Sequence, residues 1–147
     1  MSDEIGPQLF DALSADPLAQ LLGIRILSIR PGYARATMTV TQRLKNAVGS
    51  RHGGATMALI DVVHAAVSNS HGTVAVAQEV HTEFLAPAAE GDELVCEGVE
   101  LHRTRRTAVY RIDVRSSRPA RDETPLVATA LARVYRIERP WLAATDS

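Results

Sequence analysis

Apolar and polar positions change their spacing several times along this chain. From His52 to Ser70 apolar residues follow one another almost without a break, through Ala55, Met57, Leu59, Ile60, Val62, Val63, Ala66 and Val67, with no Pro inside. The run ends in Ser68-Asn69-Ser70-His71-Gly72. This predicts one helix over 52–70, apolar on nearly every face and so buried on most sides, with Gly72 in the place of a C-terminal cap. Elsewhere the spacing is that of strands. Ile24 to Arg30 and Tyr33 to Val40 flank a Pro31-Gly32 turn, and the second alternates, with Ala34, Ala36, Met38 and Val40 on one side. A strand after Gly72 is expected to carry Val74, Val76, Val80, Thr82 and Phe84 on one face and Glu79, His81 and Glu83 on the other. Strands at Glu93–His102, Thr107–Ser116 and Pro125–Ile137 follow, separated by a Pro87–Asp92 turn, an Arg103–Arg106 turn and a polar Ser117–Thr124 loop. Pro7 to Leu22 reads as short helical turns interrupted at Pro17, residues 1–6 as frayed, and the tail after Pro140 as loosely held, with Trp141 able to dock it. Short turns between consecutive strands favour an antiparallel sheet. The expectation is a single α+β domain in which one curved antiparallel sheet wraps one long central helix. One sheet cannot enclose that helix, so its uncovered side, including its few polar positions, is expected to meet a second subunit.

Composition narrows the function classes. A chain of 147 residues with 46% hydrophobic residues can bury a core as one domain. A formal net charge of −1 shows no nucleic-acid footprint. The single Cys96 excludes an internal disulfide and a cysteine-based metal site. No signal-peptide pattern and no apolar run of membrane-spanning length is visible, so a cytoplasmic protein without membrane contact is expected.

The candidate chemistry lies on the central helix. Asp61 interrupts the apolar run, and a buried carboxylate costs several kcal/mol, of order, unless it is paired or used. His64 and Ser68 follow at i+3 and i+7 and are expected to share a polar seam with it. The helix opens on His52-Gly53-Gly54. A helix N-terminus carries unpaired N–H groups at a positive dipole end, and Gly allows close approach, so an oxygen turning negative would be stabilised there. Gly53 and Asp61 lie roughly 12 Å apart along the axis. A serine triad has no support, because no Gly-x-Ser-x-Gly elbow is present. Glu79, His81 and Glu83 alternate along one strand face and read as a solvated or interface face rather than as metal ligands. Arg103, Arg105 and Arg106 form the one local basic cluster.

Asn46, His52-Gly53-Gly54, Asp61 and the segment Val80-His81-Thr82-Glu83-Phe84-Leu85-Ala86-Pro87 with Gly91-Asp92 together resemble the hotdog-fold acyl-CoA thioesterases, over roughly residues 18–137. The PaaI-like, phenylacetic-acid-pathway subgroup is the nearest in pattern. The resemblance implies hydrolysis of an acyl- or aryl-CoA to the free acid and coenzyme A, with no cofactor, since coenzyme A belongs to the substrate. It implies that the Gly53 N–H polarises the thioester carbonyl. Asp61 of the neighbouring subunit would be general base or nucleophile, Asn46 would position water or thioester, and His52 would shape the loop near the carbonyl. Gly54, Met57, Ser68 and Phe84 are expected to contact substrate, and Arg103, Arg105 and Arg106 to meet the phosphates of coenzyme A. Relatives place Ser or Thr one turn after the carboxylate, where this chain has Ala65, with Ser68 a turn further on as a candidate replacement. Two alternatives follow: an acyl-CoA-binding sensor without turnover, and an enoyl-thioester hydratase. Self-association to a dimer or tetramer is expected.

Overall fold

The structure is a computed structural model in which residues 3–118 and 124–143 are described. The Ser117–Thr124 loop and the chain ends fall partly outside these residues. Two short helices come first, α1 (Pro7–Ser14) and α2 (Pro17–Leu22). Pro17 does not merely interrupt a helix; it starts α2, where its fixed φ suits the first helical position. The Asp16 side chain caps α2 by accepting the Ala19 N–H at 3.0 Å. Strands β1 (Arg25–Arg30) and β2 (Tyr33–Thr39) follow, then helix α3 (Gly53–Ser68). Four strands complete the domain, β3 (Thr73–Phe84), β4 (Glu93–Arg103), β5 (Thr107–Ser117) and β6 (Leu126–Pro140).

All six strands form one antiparallel sheet in the order β1-β2-β4-β5-β6-β3, and α3 packs across it. Chain neighbours β3 and β4 are therefore not sheet neighbours. The segment between them instead travels past the start of α3, where Ala88 O accepts the Arg51 N–H at 3.1 Å. The inner face of the sheet is built by the expected alternation: Ala34, Ala36 and Met38 of β2, and Ala108, Tyr110, Ile112 and Val114 of β5, are all sealed from solvent. Against them lie Leu59, Ile60, Val63 and Val67 of α3, each fully buried. Gly98 of β4 lets the helix come this close: a Cβ there would sit 2.8 Å from Val63 Cγ1 and 3.2 Å from Val67 Cγ1.

Several expectations need correction. The helix ends at Ser68 with Asn69 as its cap, and Gly72 (φ +82°) serves the following turn rather than the cap itself. Asn69 takes the capping place because its side chain can bond both ways: Nδ2 donates to Ala65 O at 2.8 Å, and Oδ1 accepts the Ala75 N–H at 2.8 Å. In β3 the register slips between Ala77 and Glu79, so the period-2 pattern breaks and Val76 is 46% exposed instead of facing inward with Val80. Residues 4–6 are not frayed. Ile5 N–H donates to Ile29 O at 3.0 Å and the Glu4 carboxylate accepts the Ile29 N–H at 3.0 Å, so this segment lies along the edge of β1. At the other end Trp141 docks the tail, its ring N–H donating to Asn69 Oδ1.

Candidate active site

The start of α3 is assembled from three stretches of chain. The loop before it closes on itself: the Asn46 Oδ1 accepts the N–H groups of Val48 and Ser50, both at 3.1 Å, and Lys45 bridges to Arg51. His52 is the N-cap, and its ring Nδ1 accepts the Gly54 N–H at 2.8 Å. A nitrogen that accepts carries no proton, so neutral His52 holds its proton on Nε2. This contact requires glycine at 54, because a Cβ there would stand 3.0 Å from Nδ1. The cap leaves a distinctive remainder. The Gly54 N–H is used by His52, while the Gly53 N–H has no acceptor among the described residues. Gly53 thus presents the first free donor at the positive end of a 16-residue helix.

Phe84, at the end of β3, packs against Gly53, with its Cζ 3.3 Å from where a Gly53 Cβ would be. Arg51, which the sequence pattern did not single out, stands behind it. The residue is 7% exposed, and its guanidinium donates to Thr56 Oγ1 at 2.7 Å and to Ala86 O and lies 5.9 Å from the Phe84 ring centre. The signal that could have found it is a lone cation wedged between a closed loop and an apolar helix.

Of the expected seam, only Asp61 lies on the uncovered side of the helix. In the single chain it is exposed, on a stripe with Gly54, Met57, Ala58 and Ala65 that the sheet does not cover. His64 is 1% and Ser68 2% exposed, so neither shares that open face. His64, rotated one step towards the sheet, meets the Tyr110 ring edge-on at 5.6 Å. Ser68 is closed over in the last turn, where its hydroxyl donates to Ala65 O and accepts from Asn69 Nδ2. Leu59 likewise faces the sheet and not a pocket. Although solvent reaches Asp61, the surrounding protein desolvates its carboxyl enough to raise its pKa, and the Asp16 carboxylate of α2 adds to the rise.

The arginine turn lies elsewhere. Arg103–Arg106 joins β4 to β5 at the end of the sheet where Arg136 N–H meets Arg106 O and where His71, just past the C-terminus of α3, contacts Glu100 at 2.9 Å. A 16-residue helix is about 24 Å long, so within one chain this turn is far from Gly53. Arg105 is paired with Glu138 at 2.7 Å and Arg103 approaches Glu100 at 4.0 Å. On β3, His81 stands 3.6 Å from Glu83, and Glu79 3.5 Å from Arg133. The structure therefore brings Asn46, His52, Gly53, Gly54 and Phe84 to one place, sets Met57 and Asp61 further along the open face, and leaves Ser68 and the arginines apart.

Residues 48–123, from the closed loop through α3 to the end of β5 and beyond, match the thioesterase superfamily. The acyl-coenzyme A thioesterase PaaI of Escherichia coli is 39% identical over 67% of this chain and 71% of its own length. The chain belongs to the thioesterase superfamily. A putative esterase of Archaeoglobus fulgidus is 38% identical over 83% of this chain and 76% of its own. The solved structure of the E. coli PaaI protein, from the phenylacetic acid degradation operon, superposes with a TM-score of 0.84 at 34% identity, covering 90% of this chain and 94% of that one. A Streptococcus mutans protein solved with acetyl CoA superposes at 0.73 with 26% identity, covering 80% and 90%. The fold is thus the hotdog fold of these thioesterases. Helix α3 thus carries an N–H without an acceptor at Gly53 among the described residues and a carboxyl with a raised pKa at Asp61, about two turns apart.

Proposed function

We propose that this thioesterase hydrolyses acyl-coenzyme A to a free acid and coenzyme A, at sites shared between two copies of the chain. The observation that carries the reading is a free Gly53 N–H at the start of the helix that also bears an exposed Asp61 on its uncovered face. In one chain they are roughly 12 Å apart along the axis, too far to act on one carbonyl. When two such faces pack antiparallel about a two-fold axis, each Asp61 moves towards the other copy's Gly53. The thioester carbonyl then takes the Gly53 N–H, and Asp61 removes a proton from attacking water or attacks directly. Asn46 and His52 hold the loop that aims the donor, and Phe84, Met57 and Gly54 border the acyl group. Arginines 103, 105 and 106 would reach coenzyme A phosphates only from a neighbouring copy. Acyl-coenzyme A as the substrate class is supported by the activity that names the E. coli relative and by the acetyl CoA in the S. mutans structure.

One observation favours a second reading, an acyl-CoA-binding protein without turnover. Ala65, one turn beyond Asp61 on the same open face, offers no hydroxyl to orient water. Thiol release from short, long and aryl acyl-CoAs decides between the two. Turnover that falls by at least about 10³-fold in Asp61→Asn, with the fold and association intact, is the expected result. Acyl-CoA binding without thiol release from the wild type would establish the sensor instead.

A further inference from the structure

Arg51 is a buried cation with no obvious counter-charge. Its main-chain N–H and both terminal nitrogens are engaged, by Ala88 O, Thr56 Oγ1 and Ala86 O, yet all three acceptors are neutral. Its Nε–H is sealed from solvent without an acceptor, and no carboxylate lies within ion-pair distance among the described residues. Guanidinium stays protonated even in such surroundings. The positive end of α3 begins two residues later, so two features of the same sign sit together, which raises the energy of the empty site.

We propose that Arg51 is a positioning residue for thioester hydrolysis, holding a sealed positive charge behind the Gly53 N–H so that the oxyanion formed there is stabilised through space. The proposal rests on the thioesterase reading above. The geometry that supports it is a chain of contacts. Phe84 touches the Gly53 position, the Arg51 guanidinium lies behind the Phe84 ring, and Arg51 is fixed to the first turn of α3 through Thr56. Both terminal nitrogens are engaged and the Nε–H is sealed from solvent, so the buried guanidinium is not presented to substrate for a direct grip. A neutral thioester gains little from it, whereas the transition-state oxygen, carrying negative charge in a dry pocket, gains much. The effect belongs to kcat and not to KM, and salt does little to it, because the charge is not exposed to counter-ions.

The test compares wild type, Arg51→Met, Arg51→Lys, Thr56→Val and Asp61→Asn in thiol release from one good acyl-CoA, each checked for folding and association. Arg51→Met is expected to lower kcat by about tenfold to a hundredfold with KM within about twofold. Arg51→Lys, which keeps the charge but not the two-point grip, is expected to recover most of that loss. Thr56→Val, which loosens the grip but keeps the guanidinium, is expected to lose thermal stability with kcat within about twofold of wild type. Lysine as damaging as methionine in a folded protein, or Thr56→Val as damaging to kcat as either, overturns the proposal in favour of a scaffold role. An unchanged kcat in Arg51→Met overturns it outright. Where Arg51→Met fails to fold, Arg51→Lys and Thr56→Val are judged against wild type: kcat within about threefold in both is expected, and a loss of about tenfold or more in either folded variant overturns the proposal. Loss of the underlying reading looks different: the wild type releases no thiol, or Asp61→Asn keeps the full rate.

Discussion

Two ionisable residues on α3 are moved in opposite directions by their surroundings, and each gives a measurable consequence. His64 is enclosed against Tyr110, with a ring nitrogen that finds no partner, and burial pushes its pKa down to about 4 from 6.5. The unfolded chain therefore binds a proton more readily than the folded one. Stability from this residue is fully present above pH 6.5, is lost as pH falls towards 4, and amounts to about 3 kcal/mol over that window. Denaturant midpoints from pH 7 to 4 are expected to fall less steeply in His64→Leu than in the wild type. Parallel slopes would show that His64 is protonated at no cost. Asp61 moves the other way, raised by desolvation and then by Asp16. A general base works only when deprotonated, so activity is expected to fall as pH drops through that raised value. Asp16→Asn keeps a good cap for α2 and removes the repulsion, so the acid limb of kcat/KM should move to lower pH. An unmoved limb would mean that the charge at Asp16 does not reach the working carboxylate.

At the scale of elements, α3 is held by close approach rather than by bulk. Gly98 gives Val63 and Val67 the room they occupy, and those two residues are fully buried. Gly98→Ala is expected to cost about 1–3 kcal/mol by overpacking, and pairing it with Val63→Ala should return part of that loss. Chemical denaturation of the four proteins measures both, and additive losses would show that the two sites do not touch. This contact illustrates what could be read in the chain and what could not. The strands and the helix follow from spacing, because alternation in β2 and β5 and the long apolar run of α3 each have one satisfying structure. The start of α3 was legible too, since glycine and histidine there answer to local geometry. The uncovered position of Asp61 was legible, since one sheet cannot enclose an apolar helix; the burial of His64 and Ser68 and the slip in β3 were not. Helical angle alone puts Ser68 on the side of Asp61, whereas in the fold it is buried and its hydroxyl is bonded to Ala65 O and the Asn69 side chain. Arg51 was missed for the same reason: its meaning depends on Ala86, brought to it from the far end of β3.

For the whole molecule, the proposed site shared between two copies needs a surface on which they meet, and the two sheet edges are β1 and β3. The edge at β1 is partly covered by the chain's own Glu4–Ile5 segment. β3 pairs with β6 along one side and with no strand along the other among the described residues, leaving a 12-residue edge that ends at exposed Phe84 and Leu85. An edge of that length invites pairing, and a second β3 beside it would set two uncovered α3 faces next to each other. A site made in this way can be divided genetically. Asp61→Asn removes the proposed base. Gly53→Pro removes the N–H and suits the backbone, because Gly53 is the first helical residue and His52 before it is already extended (φ −72°, ψ 130°). Each variant alone is expected to be nearly inactive. Refolded together in equal amounts, half of the dimers are mixed, and one of the two sites in each mixed dimer has both wild-type residues, so about a quarter of wild-type activity should return. If Gly53 and Asp61 served a site within one chain, every site in the mixture would still lack one of them, and mixing would restore nothing. Recovery near a quarter therefore places the reaction between subunits, and absence of recovery in a mixture shown to contain mixed dimers removes the shared site.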